Sequence, residues 1–179
     1  MVFGETAIAR TRERIRRLTL YPEARPLPEV LRAIVNADGI VVGPGSLYSS
    51  ILPNLLVESV ASTISGVRAV RIYVANLMTE PGETDSFSLD DHLRVIREHA
   101  RFDLFDYILV NNRPLDPGVL AVYAAQGSRP VTFSQPLRWG GRARIVECSL
   151  AGEYRAGKIR HAAGPVAQVV SELVARGRP

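Results

Sequence analysis

Residues 41–51, VVGPGSLYSSI, set two β-branched residues against a Gly-Pro-Gly-Ser turn, further hydroxyls and an apolar stretch. Gly43 and Gly45 permit close backbone approach to a ligand, and amides that open a helix present a positive end, as a phosphate cradle requires. Ser46, Ser49 and Ser50 add hydroxyl donors. Two charge-assisted hydrogen bonds of roughly 1.5–3 kcal/mol each amount to about two to four decades of affinity, enough to anchor a nucleotide diphosphate. Gly, Pro and Ser are equally the commonest turn formers, so a corner that binds nothing stands beside the cradle as an even alternative. The stretch is neither a Walker loop nor a G-x-G-x-x-G fingerprint, because the Lys and the third Gly are missing.

A second polar stretch, NLMTEPGET at 76–84, supplies Thr79, Gly82, Glu83 and Thr84. Glu83 can orient a ribose hydroxyl, hold a metal through water or act as a base; a solvated loop carboxylate or a helix cap is the plainer use. Asn76 and Asn111 follow apolar runs with an amide that both donates and accepts, which suits a base or a sugar as well as a turn. His92 and His99 lie seven residues apart, hence on one helix face but too distant to share a metal. His92, in the first turn, faces the expected crevice, whereas His99 complements the helix dipole. Arg160 and His161, just ahead of a helix, can close over an anion or form a surface turn. No Ser-His-Asp order and no metal-ligand spacing stands out, so no catalytic residue and no metal site is assigned.

The elements that must position these residues follow from periodicity. RIRRLTL (14–20) reads as a strand; Arg10, Arg12, Arg14 and Arg16 alternate, and on a strand they would share one face. Nucleic-acid binding by that face is disfavoured, since no aromatic residues interleave and Glu5 and Glu13 balance the charge. A helix follows over PLPEVLRAIVNADG, with Pro28 near its start and Gly39 past its end. Short apolar runs at 39–43, 69–76 and 107–112 alternate with helical patterns. One helix begins at the capping-box pair Ser88 and Asp91; another spans about 117–126 and ends at Gly127. PVTF and ARIVECSL read as strands, and Pro165 opens a final helix. Strands alternating with helices imply a doubly wound, mostly parallel sheet with helices on both faces. In such sheets ligands bind at the carboxyl ends of the strands. The polar stretches after the strands at 39–43, 69–76 and 107–112 are thus expected to converge on a single site.

Composition is consistent with one α/β domain over 1–179, with 46% apolar and 22% charged residues. Glu58 interrupts the longest apolar candidate for a membrane span. The opening MVFGETAIARTRERIRR places charge after the apolar part, the reverse of a secretory signal, so a cytoplasmic protein is expected. A lone Cys148 excludes an intrachain disulfide and is expected to be a buried thiol. The net charge of +4 comes almost entirely from arginine, Lys158 being the only lysine.

The segments ADGIVVGPGSLYSSILPNLLV, IYVANLMTEPGET and DDHL, in this order and spacing, resemble the CofD/YvcK-like family. That family joins the 2-phospho-L-lactate transferases of deazaflavin cofactor biosynthesis to the gluconeogenesis factors, which bind UDP-sugars. The GPGSLY form resembles the gluconeogenesis-factor branch; the transferases carry a PSNP-like loop there. The resemblance implies a Rossmann-like α/β fold and a regulatory protein that binds a UDP-sugar or other nucleotide diphosphate and affects carbon metabolism, cell-wall growth and cell shape. Its alternative is a transferase moving a phospholactyl group to a deazaflavin acceptor, with Mg²⁺ as cofactor. It also implies a ligand cleft lined by Gly43, Pro44, Gly45, Ser46, Leu47, Tyr48, Ser49 and Ser50. Asn54, Asn76, Thr79, Gly82, Glu83 and Thr84 complete that lining, with His92 close by. The family's opening GGGTG and DDGGS-like segments are absent, and its Arg-His-Asp reads Arg160, His161, Ala162. The expectation is the C-terminal part of a longer domain, with an N-terminal half and a homo-oligomeric copy as the polypeptide partners to consider.

Overall fold

The computed structural model of the chain describes Met1, Val2, Gly4, Ala7 and residues 14–179. Its centre is a parallel sheet of four strands: β1 (Gly39–Val42), β2 (Val70–Val74), β3 (Tyr107–Asn111) and β4 (Arg144–Cys148), in the order β1-β2-β3-β4. Every residue of β2 is buried, and so are the first four of β3, as expected for strands covered on both faces. Alternation divides their side chains between two cores. Tyr73, Ile108 and Val110 join one, with Leu52, Ile64, Leu93 and Ile96. Ile72, Val74, Tyr107 and Leu109 join the other, with Leu120, Val170 and Leu173.

The helices therefore cover both faces. On the first lie α1 (Pro28–Val35), a π-helical turn (Leu47–Ile51) running into α2 (Leu52–Leu55), α3 (Glu58–Gly66) and α4 (Leu89–Ala100). On the second lie α5 (Pro117–Ala125) and α6 (Ala163–Arg176). Pro28 opens α1, where a missing N–H loses nothing. The Ser88 side chain accepts from the Asp91 amide while the Asp91 side chain accepts from the Ser88 amide, so the expected capping box starts α4. Among the described residues no helix is long and apolar enough to cross a membrane.

Two expected strands are absent. Residues 14–20 pair with no strand; Ile15 and Leu18 pack on the first core, and the Leu18 amide donates to His99 Nε2 at 3.1 Å. Their alternation is satisfied by lying against a helix end instead of joining a sheet. Arg14 and Arg16 thus share no strand face, and Arg10 and Arg12 lie outside the described residues. Residues 130–133 make one isolated bridge, Pro130 to Met78. Pro130 has no N–H for a ladder, and the Val131 amide and Thr132 carbonyl are taken by Leu77 and Leu89.

One element was missed. β5 (Ala151–Arg155) and β6 (Lys158–His161) form an antiparallel hairpin around Ala156 and Gly157, whose φ values of 50° and 77° give the doubly left-handed turn that suits a two-residue loop. The hairpin is fastened by the Ile159 amide donating to the Tyr123 hydroxyl and the Ala162 amide donating to the Leu150 carbonyl. The strand order does not reverse among the described residues, so no switch point opens the crevice. The hairpin and the ends of β1 and β2 frame it instead.

Candidate functional site

At the carboxyl end of β1 the chain must turn sharply over β2. Gly43 does so with φ of 87°, and a Cβ there would stand 2.9 Å from the Val74 carbonyl oxygen. Any side chain would strain the backbone and collide with it. Gly45 is packed closely as well, its would-be Cβ 3.3 Å from Ser50 Cβ. The following turn is π-helical, with the Ser50 and Ile51 amides both donating to the Ser46 carbonyl. A turn this short carries little macrodipole; its contribution is its own opening amides, which have no partner within the helix. The Ser46 side chain makes no capping bond.

This corner meets the start of the second loop and the hairpin across an open cleft of about 800 Å³. It is lined by Pro44, Gly45, Ser46 and Ser50 of the corner, by Asn76, Thr79 and Glu80 of the second loop, and by Lys158, Arg160 and His161 of the hairpin. Asn76 ties the second loop to the corner, its Nδ2 donating to the Gly45 carbonyl at 2.9 Å. The buried Thr79 fixes the far side: its hydroxyl accepts from the Arg129 amide at 3.0 Å and its carbonyl accepts from Ser128 Oγ at 2.5 Å. The cleft's Lys158 and Arg160 outnumber its one acid, Glu80. His161 donates through Nε2 to the Ala75 carbonyl at 3.0 Å; burial lowers its pKa, against the raising effect of that bond. The neutral ring then keeps Nδ1 as an acceptor.

The remaining expected residues lie elsewhere. Leu47 and Tyr48 are core side chains, 0% and 2% exposed. Asn54 is exposed and donates to the Ser50 carbonyl at 2.7 Å, bracing the π-helical turn. Gly82 and Thr84 shape the second loop: the Gly82 amide donates to Asp85, and Thr84, 1% exposed, accepts from the Glu80 amide. Glu83 is half-buried in the same turn, and Gly43, Ser49, Gly82, Glu83, Thr84 and His92 do not line the cleft. His92 is 1% exposed, packs edge-on against Phe87 and points Nδ1 at the Ser88 carbonyl; burial lowers its pKa.

Two of the three expected loops and the hairpin line the cleft. Asn112, Arg113, Pro114 and Leu115, after β3, line an adjoining cavity of about 250 Å³ that shares Asn76 and Leu77 with the cleft. Asn111 is consumed by structure: its Oδ1 accepts from the Arg113, Leu150 and Ala151 amides, and its Nδ2 donates to the Arg113 carbonyl. The polar lining residues missed in the sequence are Glu80, Tyr123, Gln126, Ser128 and Lys158. The alternating YRAGKIRH around Ala-Gly was the available signal for the hairpin that carries Lys158. Among the described residues no three His, Cys, Asp or Glu side chains gather as a metal site, so these residues do not furnish a cage for Mg²⁺.

A parallel sheet covered on both faces, with a polar cleft at its carboxyl rim, defines an α/β protein with a candidate ligand site. The family model described as 2-phospho-L-lactate transferase CofD matches residues 1–147, and the chain belongs to this CofD family. The gluconeogenesis factor of Bacillus subtilis is 36% identical over 176 residues, 97% of this chain and 55% of that protein. That of Halalkalibacterium halodurans is 43% identical over 136 residues, 75% of this chain and 42% of the relative. The crystal structure of a UPF0052-family protein from Bacillus halodurans superposes with a TM-score of 0.88 at 36% identity, covering 94% of this chain and 54% of that one. The chain spans about half the length of the relatives it matches.

Proposed function

We propose that the chain binds a nucleotide sugar of the UDP-sugar class and acts as a regulatory protein of the gluconeogenesis-factor type. The carrying observation is the cleft that the Gly45-Ser46 corner shares with Lys158 and Arg160. The backbone amides and hydroxyl of the corner and the cations of the hairpin suit a diphosphate, and neutral His161 offers an acceptor to a sugar hydroxyl. The similarity to gluconeogenesis factors supports the same reading. A role in carbon metabolism and cell-shape control would follow from the ligand's occupancy, with the nucleotide sugar reporting precursor supply.

Titration calorimetry of UDP-N-acetylglucosamine into this chain tests the assignment. Binding is expected, weakened by Gly45→Val, whose branched side chain must displace the Ser50 side of the corner. Unchanged affinity in that variant removes the corner from the site. Turnover of a deazaflavin alcohol by the same protein would replace the regulator with the phospholactyl transferase.

A further inference from the structure

Lys158 and Arg160, the cations of the cleft, stand on a hairpin that is joined to no other sheet among the described residues. A two-stranded hairpin is marginally stable by itself in water, and the ladder of this one is interrupted, its register shifting between Ala151 and Tyr154. Residues 153–158 are all exposed. Hydrogen bonds tie the base to the body of the protein: Arg113 Nη1 donates to the Ala151 carbonyl at 3.1 Å, the Ala151 amide to Asn111 Oδ1 at 3.0 Å, and His161 Nε2 to the Ala75 carbonyl at 3.0 Å. Farther out the fastening is Tyr123 on α5. Its hydroxyl accepts from the Ile159 amide at 2.9 Å, and its ring meets that of Tyr154 on β5 edge-on, with centroids 6.5 Å apart. Ile159 lies between the two cations along β6, so the point that Tyr123 holds sets where both side chains begin.

We infer that Tyr123 is a positioning residue for anion binding: by pinning β6 at Ile159 it presents Lys158 and Arg160 to the cleft already ordered. The inference rests on the diphosphate reading above. Long cationic side chains lose rotamer freedom when they close on an anion, and a strand free to swing would add its own freedom to that cost. A strand fixed by Tyr123 has lost it before the ligand arrives. The coupling is reciprocal, so an anion held by Lys158 and Arg160 must in turn steady the hairpin.

Tyr123→Phe removes the hydroxyl and keeps the ring, with its packing in the second core and its contact with Tyr154. Calorimetry with pyrophosphate should show affinity falling by about tenfold, equivalent to about 1.4 kcal/mol, in a variant whose circular dichroism matches the wild type. In a Lys158→Ala background the same change should cost distinctly less, because one of the groups it positions is gone. Exchange of the Ile159 amide hydrogen should quicken in Tyr123→Phe, and pyrophosphate should slow it in the wild type. Unchanged Ile159 exchange or unchanged affinity in Tyr123→Phe overturns the role of Tyr123. So does a loss of equal size with and without Lys158, which would mark a general structural effect. Failure of pyrophosphate to bind the wild-type chain while Ile159 exchange still responds to Tyr123→Phe overturns the diphosphate reading and supports the pinning of the hairpin.

Discussion

Replacing Asp106 by Asn probes the buried ion pair beneath the rim-forming strands. Asp106 and Arg71 have side chains each 7% exposed, with Arg71 Nη2 to Asp106 Oδ1 at 2.8 Å and Nε to Oδ2 at 2.9 Å. The Arg71 amide also donates to Oδ2, and Arg178 reaches Oδ1 at 3.1 Å from beyond α6. Asn keeps the volume but removes the charge and turns a donor toward a guanidinium that is itself all donors. Breaking one side of a buried pair costs about 3–5 kcal/mol, a large part of the about 5–15 kcal/mol that holds a domain together. Urea unfolding followed through Trp139, the single tryptophan and 7% exposed, measures the loss at pH 7. Burial by itself would raise the Asp106 carboxyl, but the hydrogen bonds and charge of Arg71, with Arg178, outweigh it and hold the group below its ordinary value of 3.8. The stabilisation is therefore fully present above pH 3.8 and is lost as pH falls through the lower folded value, so the gap between wild type and variant must close there. A loss under about 1 kcal/mol, as for an exposed pair, or a gap of constant width on acidification, refutes the reasoning.

Gly43→Ala should destabilise by more than Gly157→Ala, although both glycines have positive φ. A Cβ at Gly157 meets nothing within 4 Å and pays the left-handed conformation alone, about 1–2 kcal/mol, whereas at Gly43 it also meets the Val74 carbonyl at 2.9 Å. Equal urea midpoints for the two variants would contradict this account of the corner. Burial lowers the pKa of His92 and of His161, so their contribution is complete above the ordinary value of 6.5 and lost as pH falls through the folded values. Wild-type stability should decline on acidification below pH 6.5, and less steeply in His161→Gln; parallel declines would show that His161 is not held neutral by the fold.

Local patterns carried much of this protein. The sequence by itself determined the three central strands, because runs such as YILV can lie only between two apolar layers, and it determined the start of α4, because Ser88 and Asp91 satisfy each other's backbone without help from elsewhere. It also singled out the Gly43–Ser50 corner, where glycine and hydroxyl spacing is a local requirement. Residues 14–20 and 130–133 misled for the same physical reason: alternation specifies which side chains are buried, not what the backbone pairs with. Only the tertiary structure decided that Asn111 is spent on the β4–β5 connection while Asn76 keeps a buried acceptor, since identical amides differ solely in what surrounds them. It alone brought Lys158 and Arg160 to the Ser46 corner, because hairpin docking depends on contacts with α5 and residue 150 that lie far away along the chain.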